Sequence, residues 1–388
     1  MTEFSAVSAK IGELEEEFIA LWRSVCEVES PTADKAGVDK VGEILLSFAE
    51  KRGWETEVLR EEVSGNALLI RMNPRAPGKP VAFSGHMDTV YPVGAFGHPA
   101  TKIENGRLYG PGVADCKGGI VAALLAMTAL EEAGYESRPL LLLCQSDEEV
   151  GSRYSEGRTI GFICERAKEA EAFLNCEGHT PGHAAMQRKG IKRYEMIVHG
   201  KGCHSKECTQ GINALTEAAY KIIELEKMKD QEGITCNCGI ISGGAAVNVV
   251  PDECRVELEV RFADFAQMEK ADKTVREIAA HSFLPGTSCE IITASCRVPM
   301  EKCERNDRLL EKINFSLQKA GMKPLSPQKR NGGSDASDVT AFGIPCVDSL
   351  GVTSHDIHTT RESADLSSLA ETARRLSAIV LGLDDYQQ

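Results

Sequence analysis

Histidines and carboxylates in this chain gather where the surrounding sequence reads as the end of a strand, and that combination suits divalent-metal chemistry. Ser84-Gly85-His86-Met87-Asp88 sets a histidine two residues before an aspartate. In extended backbone such residues point the same way, so Asp88 is placed to accept the second ring N–H of a metal-bound His86 rather than to join it as a ligand. Gly110-Pro111-Gly112-Val113-Ala114-Asp115-Cys116-Lys117-Gly118-Gly119 crowds four glycines around one aspartate just before a helix, the composition of backbone that bends sharply or is approached closely. Asp147-Glu148-Glu149 places three consecutive acids behind an apolar strand. Like charges at that spacing need a cation or a raised pKa to coexist, which is explained if one acid binds metal and its neighbour moves protons. Glu177 follows another strand, and Ser354-His355-Asp356-Ile357-His358 offers two histidines near the end of the chain.

Each cluster alone admits a plainer reading. His86 and Asp88 could be a surface pair, Asp115 a helix N-cap, and 147–149 a solvated acidic turn. A phosphate loop at 110–119 is disfavoured because the Gly-x-x-x-x-Gly-Lys-Ser/Thr order is absent. Together the clusters supply two histidines and at least three carboxylates, and nitrogen and oxygen donors without thiolate suit a catalytic zinc or a related ion.

The elements that must position these residues can be read from periodicity. A helix is expected over Ser5 to Val28, with Ile11, Leu14, Phe18, Leu21 and Val25 at helical spacing and Ser30-Pro31-Thr32 ending it. A second fits Lys35 to Arg52. Strands come next at Thr56 to Arg60, Asn66 to Met72 and Pro80 to Gly85, then a buried helix at Gly118 to Gly134 and buried strands at Pro139 to Ser146 and Ala172 to Asn175. This alternation argues for an α/β sheet with helices on both faces, whose ligands bind at the carboxyl edge of the strands. From about Gly190 the pattern changes. Strands Lys192 to Val198 and Arg255 to Phe262, with helices Asn213 to Glu226 and Ala266 to His281, suggest a small α+β sandwich near Arg188 to Val298. A helix at Asp307 to Ala320, a strand near Pro345 to Ser349 and a helix at Leu366 to Leu383 return to the first pattern, so one domain interrupts another.

With 388 residues, 42% of them hydrophobic, the chain has room for two domains and a sizeable core. Asp and Glu number 58 against 44 Lys and Arg, a formal net charge of −14, which argues against a nucleic-acid partner but not against an anionic substrate. The longest apolar stretch, Gly119 to Leu130, is about a dozen residues where a membrane span needs about 20. Met1 to Gly12 carries Glu3 and Lys10 and no hydrophobic block, so no secretory signal is expected. Fourteen scattered cysteines then read as reduced thiols of a cytoplasmic protein. Cys236 and Cys238 have no second pair at zinc-ribbon spacing.

The ordered set of motifs resembles the M20 family of di-zinc aminoacyl hydrolases, which includes glutamate carboxypeptidases, aminoacylases, deacylases of acetylornithine and succinyl-diaminopimelate, and tripeptidases. The set is His86-x-Asp88, Gly110-x-Gly112-x-x-Asp115-x-Lys117-Gly118, Asp147-Glu148-Glu149-x-Gly151-Ser152, Glu177, and His358 with Glu362 four residues on. The resemblance runs from about residue 10 to 385. It is nearest the glutamate carboxypeptidase branch, on Gly110-Pro111-Gly112, Cys176-Glu177 and Gly332-Gly333-Ser334-Asp335-Ala336.

The resemblance implies an α/β fold: a mixed-sheet α/β/α zinc-hydrolase domain, residues 1–188 and 298–388, interrupted at 189–297 by a smaller α+β, ferredoxin-like lid and dimerisation domain. It implies two zinc ions per chain, with cobalt or manganese as other divalent candidates. Asp115 would bridge them, His86 and Glu177 would complete one site, and Glu149 and His358 the other. His358 is preferred to His355 because Glu362 follows it at the family spacing. Glu148 would be the general base and acid, acting on a metal-bridging water, and Asp88 would orient His86. A cis Asp115–Cys116 peptide is also implied. In the inserted domain, Gly200-Lys201-Gly202-Cys203-His204-Ser205 and Gly243-Gly244-Ala245-Ala246-Val247-Asn248 resemble the lid segments. There His204 would polarise the scissile carbonyl from a partner subunit, with Asn248 and Arg261 binding substrate and a homodimer formed through this domain; a surface His204 and a structural Arg261 are the plainer readings. The implied reaction is amide hydrolysis in a small peptide or N-acyl amino acid, carboxypeptidase-like, with an N-acyl amino acid deacylase or a tripeptidase as alternatives, and a catalytically silent binder as a remote one. Two departures stand out. Cys116, Cys144 and Cys176 adjoin metal-motif residues, where they could confer sensitivity to oxidation or soft metals, and Lys206-Glu207-Cys208 replaces the small residues expected after the lid histidine.

Overall fold

In the computed structural model residues 3–230 and 233–386 are described, so Met1 and Thr2 of the segment read for a signal lie outside them. Two compact units emerge: Met1–Met186 with Lys302–Lys329 and Ser334–Gln388, and Gln187–Glu301 with Arg330–Gly333.

The first unit is built on a six-stranded sheet in the order Glu55–Leu59, Ala67–Met72, Leu140–Gln145, Val81–His86, Ala172–Asn175, Cys346–Val347. Ala67–Met72 pairs antiparallel with both of its neighbours, whereas the last four strands are mutually parallel. The sheet is therefore mixed, and four strands end on the same edge. Val81–His86 and Leu140–Gln145 are buried at every position, as expected of parallel strands covered on both faces. Alternate residues, among them Phe83, Leu142 and Leu174, join a core with helices Phe4–Glu27, Lys117–Glu132, Glu304–Lys319 and Ser367–Asp385. Their neighbours Ala82, Leu141 and Phe173 are buried as well, and helix Arg158–Ala167 packs against two of the strands.

The expected helices and central strands are present with ends displaced by a few residues. Two short helices, Arg158–Ala167 and Asp335–Phe342, were not anticipated. The second has readable stop and start signals: Ser334 Oγ accepts from the N–H of Ala336, and Gly343 ends the helix at φ 100°. A small sheet of Ser354–His355, Ser363–Asp365, Arg107–Tyr109 and Lys102–Glu104 was also unforeseen. It sets the loop before Asp115 beside the loop carrying His358.

Helix Lys117–Glu132 is buried through Leu130 on all sides, the pattern of a helix inside a core. Its first turn comes very near the strand end at Cys176: a Cβ on Gly119 would lie 1.9 Å from the Cys176 carbonyl oxygen. Overpacking of this kind typically costs about 1–3 kcal/mol, so Gly119→Ala is expected to lower the urea midpoint. Gly161→Ala, where nothing lies within 4 Å, is the control, and an unchanged midpoint for Gly119→Ala would refute this packing.

The second unit is an antiparallel sheet in the order Thr235–Gly243, Glu253–Phe262, Gly190–His199, Ser288–Arg297. Glu253–Phe262 alternates exposed with buried residues over most of its length, and Val256, Leu258 and Val260 pack with Ala218 and Val275 of helices Ala214–Leu225 and Phe265–Ala280. Asn213 and Asp264 cap these helices. Arg330–Gly333 join this unit because Arg188 Nη1 donates to the carbonyls of Gly332 and Gly333. Among the described residues no helix is long and apolar enough to cross a membrane.

Candidate metal centre

Register places the site. His86 is level with Gln145, and Ser84 with Asn175, on adjacent parallel strands. The residues just past each strand, 147–149 and Glu177, therefore emerge beside His86. Asp115 reaches the same edge from the glycine-rich loop, and its cis peptide to Cys116 is present as expected. Cys116, not Asp115, occupies the N-cap position of the next helix.

Asp115 stands between two histidines. Its Oδ1 lies 3.1 Å from His86 Nε2, and its Oδ2 lies 3.0 Å from His358 Nε2. Glu177 Oε1 is 3.6 Å from His86 Nε2, and Glu149 Oε2 is 3.4 Å from His358 Nε2. His86 Nδ1 is 2.9 Å from the Asp88 carbonyl oxygen and 3.4 Å from its carboxylate, so the ring is oriented chiefly by the Asp88 backbone. With Nδ1–H donated there, a neutral His86 turns a bare Nε2 toward carboxylate oxygens, which calls for a proton or a cation between them.

The Asp88 carboxylate has a different task. It accepts from the backbone N–H groups of Glu148 and Glu149, at 3.1 Å each, and from the Thr32 hydroxyl at 2.8 Å. The segment read only as a helix stop thus also helps to hold the turn that carries the paired acids. Glu148 is buried on that turn, next to Glu149.

The charge balance is uneven. Burial would raise the Asp115 carboxyl, but hydrogen bonds from His358 and His86 hold it far below the usual range. Burial, and then the Asp115 charge, push Glu149 up to about 8. The carboxylates of Asp115 and then Glu149 push His358 up to about 11. Burial alone would lower His86, yet the Cys116 sulfur, Asp115 and Asp88 outweigh it and hold the ring well above the ordinary value. Buried acids crowded against two histidines that must hold protons to satisfy them form a donor set that fits cations. Among the described residues, two groups of donors have all their ligand atoms within 4.8 Å of one another: His86, Asp115 and Glu149, and His86, Cys116 and Glu177.

Cys116 was not anticipated as a donor, though its place beside a metal motif is a departure from the family pattern. Its sulfur accepts the His86 backbone N–H at 2.9 Å. Burial raises the Cys116 thiol strongly, raises Cys144, and pushes Cys176 up to about 12. Burial therefore disfavours the thiolate, the reactive form, at all three.

Of the two late histidines, His358 is at the cluster, while His355 Nε2 lies 3.0 Å from Asp365. His179, close to Glu177 in sequence, is also outside it, its ring held by the Ser349 carbonyl and the Arg375 guanidinium. Glu362 stands out in the sequence only for its spacing. It is fully buried, and burial and the Asp115 charge push it up to about 7.

The remaining candidates belong to the second unit. His204 and Val249 pair across two short strands, and the Ser205 N–H donates to the Asn248 carbonyl. His204 is exposed, and its Nδ1 accepts the Lys206 N–H at 3.2 Å. Arg261 is partly committed: Nε donates to Glu259 at 2.7 Å and Nη1 to the Asn331 carbonyl at 2.8 Å.

Residues 82–382 match the model of peptidase family M20/M25/M40. The chain is 26% identical to carboxypeptidase G2 of Pseudomonas sp. strain RS-16, over 92% of this chain and 86% of that protein. It is 24% identical to the succinyl-diaminopimelate desuccinylase of Sulfurimonas denitrificans, over 89% and 93%. A solved structure of a tripeptidase from Staphylococcus aureus superposes with a TM-score of 0.78 at 22% identity, covering 94% of this chain and 97% of that one, a likeness of fold.

Proposed function

The chain belongs to peptidase family M20/M25/M40 and is a hydrolase of amide bonds, and from that premise we propose that it is a two-metal exopeptidase of the carboxypeptidase kind. The observation that carries this reading is Asp115 held between His86 and His358, each with a second carboxylate beside it. Asp115 would be shared, with His86 and Glu177 on one side and Glu149 and His358 on the other. Zinc is the proposed metal. Bound there, divalent ions would lower the pKa of water toward neutrality and polarise a carbonyl.

The chain's own groups do the rest. Glu148 takes the proton of the attacking water and returns it to the leaving nitrogen, so that water and an amide become a carboxylic acid and an amine. The Asp88 carboxylate fixes Glu148 by accepting its backbone N–H. His204 would donate to the developing oxyanion, and Asn248 and Arg261 would hold the substrate, whose free carboxylate suits a guanidinium. The lid role of the second unit, a homodimer formed through it and a cytoplasmic location belong to the same proposal.

The substrate is a small peptide or an N-acyl amino acid. The likeness to carboxypeptidase G2 supports a carboxypeptidase, and the likeness to the desuccinylase supports a deacylase as a second reading. A panel of dipeptides, tripeptides and N-acetyl, N-succinyl and N-formyl amino acids, assayed for amine release with added zinc and with chelator, tests both. Chelator-sensitive cleavage of one subset is expected, peptides for a carboxypeptidase and N-acyl amino acids for a deacylase. No cleavage across the panel by protein with metal bound would overturn the reading.

A further inference from the structure

Glu362 does something in this structure that its spacing from His358 does not explain. Its Oε1 accepts the backbone N–H of Ala114 at 2.9 Å and of Asp115 at 3.0 Å, and its Oε2 accepts that of Gly112 at 3.3 Å. Its own carbonyl accepts the Gly110 N–H at 3.3 Å. One side chain therefore gathers the loop that ends in Asp115, across 247 residues of sequence. The same residue closes the loop that begins after His355 and carries His358, since the flanking strands Ser354–His355 and Ser363–Asp365 pair with each other. Ser363 in turn pairs with Tyr109, at the entry to the Asp115 loop.

We propose that Glu362 is the positioning residue of the metal centre, setting the Asp115 carboxylate and the His358 ring at the separation at which both reach one pair of ions. The proposal rests on the two-metal reading above. Glu362 touches none of the reacting groups and acts through the Asp115 backbone.

Acceptor capacity explains the choice of residue. Three backbone N–H groups converge on two oxygens and favour the ionised form against burial and the Asp115 charge; once ionised, the carboxylate offers about four lone-pair sites and no donor. A glutamine in the same place has one acceptor oxygen and turns an NH2 toward one of the three amides. Bonds from N–H to carboxylate are also stronger than neutral ones. A buried N–H left without an acceptor costs about 1–3 kcal/mol, which the loop escapes only by rotating those peptides. Rotation at Ala114 or Asp115 swings the Asp115 carboxylate away from one or both histidines. The nearby clamp His355–Asp365–Arg107, with contacts of 3.0 Å and 2.9 Å to Asp365 Oδ1, holds the strands but does not reach the loop amides.

The test compares full-length wild type with Glu362→Gln and Glu362→Ala. Zinc affinity is read by competition with a chromophoric chelator, and the melting temperature of the metal-free protein is recorded beside it. Outer partners of metal ligands are worth about 10–100-fold in affinity, so Glu362→Gln should bind zinc at least 10-fold more weakly than wild type and Glu362→Ala more weakly still. At saturating zinc, KM should be unchanged. If Glu362→Ala does not fold, the glutamine variant still decides. Zinc affinity within about 3-fold of wild type, whether or not the metal-free protein melts lower, makes Glu362 merely structural and overturns the proposal alone. A wild type that binds no divalent ion overturns the two-metal reading and this inference with it.

Discussion

Glu148→Ala is expected to lower kcat by about 10²–10⁴-fold, the usual contribution of a positioned general acid–base, while leaving metal content unchanged. The argument is one of placement. Glu148 is buried beside the cluster, on the three-residue turn Glu148–Val150. Asp88 holds that turn through the N–H groups of both Glu148 and Glu149. The two acids nevertheless differ in environment. Glu149 pairs with His358, whereas Glu148 is absent from both donor groups. On the proposed reading, Glu149 serves the metal side and Glu148 moves the proton. The decisive measurement is single-turnover amide cleavage by zinc-loaded protein with metal analysis of the same sample. A variant with near wild-type kcat refutes the base assignment. Loss of metal together with activity would instead make Glu148 a ligand.

If two ions bind as proposed, Asp115→Asn is expected to weaken both at once, by more than the 10–100-fold typical of outer partners, and to abolish turnover in dialysed protein. Each oxygen of this carboxylate faces its own histidine, at 3.1 Å and 3.0 Å. Asparagine keeps one acceptor oxygen and presents an NH2 to the other histidine, which repels a cation there. Sharing predicts coupled loss: metal analysis after dialysis should find neither ion at its wild-type occupancy. Retention of one ion at full occupancy would show that Asp115 serves a single site. Comparison with His86→Ala and His358→Ala, each expected to weaken one ion more than the other, separates a shared ligand from general disruption.

The readable part of this molecule is local. His86 and Asp88 share an orientation because strand side chains alternate, and burial on both faces made the central strands conspicuous as apolar runs such as Leu140 to Cys144. The Ala-rich helix after Asp115 announced itself in the same way. The helices Arg158–Ala167 and Asp335–Phe342 escaped notice because they are short, 10 and 8 residues, and too few turns fit within them for periodicity to emerge.

What the sequence by itself determined is the set of side chains and the edge they occupy: strand period and apolar runs depend on near neighbours, and motif order carried the family resemblance. Tertiary structure alone decided how those side chains are used. It turned His355 to Asp365 and His358 to Asp115, brought the Cys116 sulfur to the His86 backbone, engaged Arg261 with the Asn331 carbonyl, and put Glu362 under the Asp115 loop. Each of these is a hydrogen bond or close contact whose partner is fixed by packing, in two cases more than 200 residues away along the chain. A pattern read along the chain records which face a residue takes, whereas the identity of its partner depends on which other element arrives at that face.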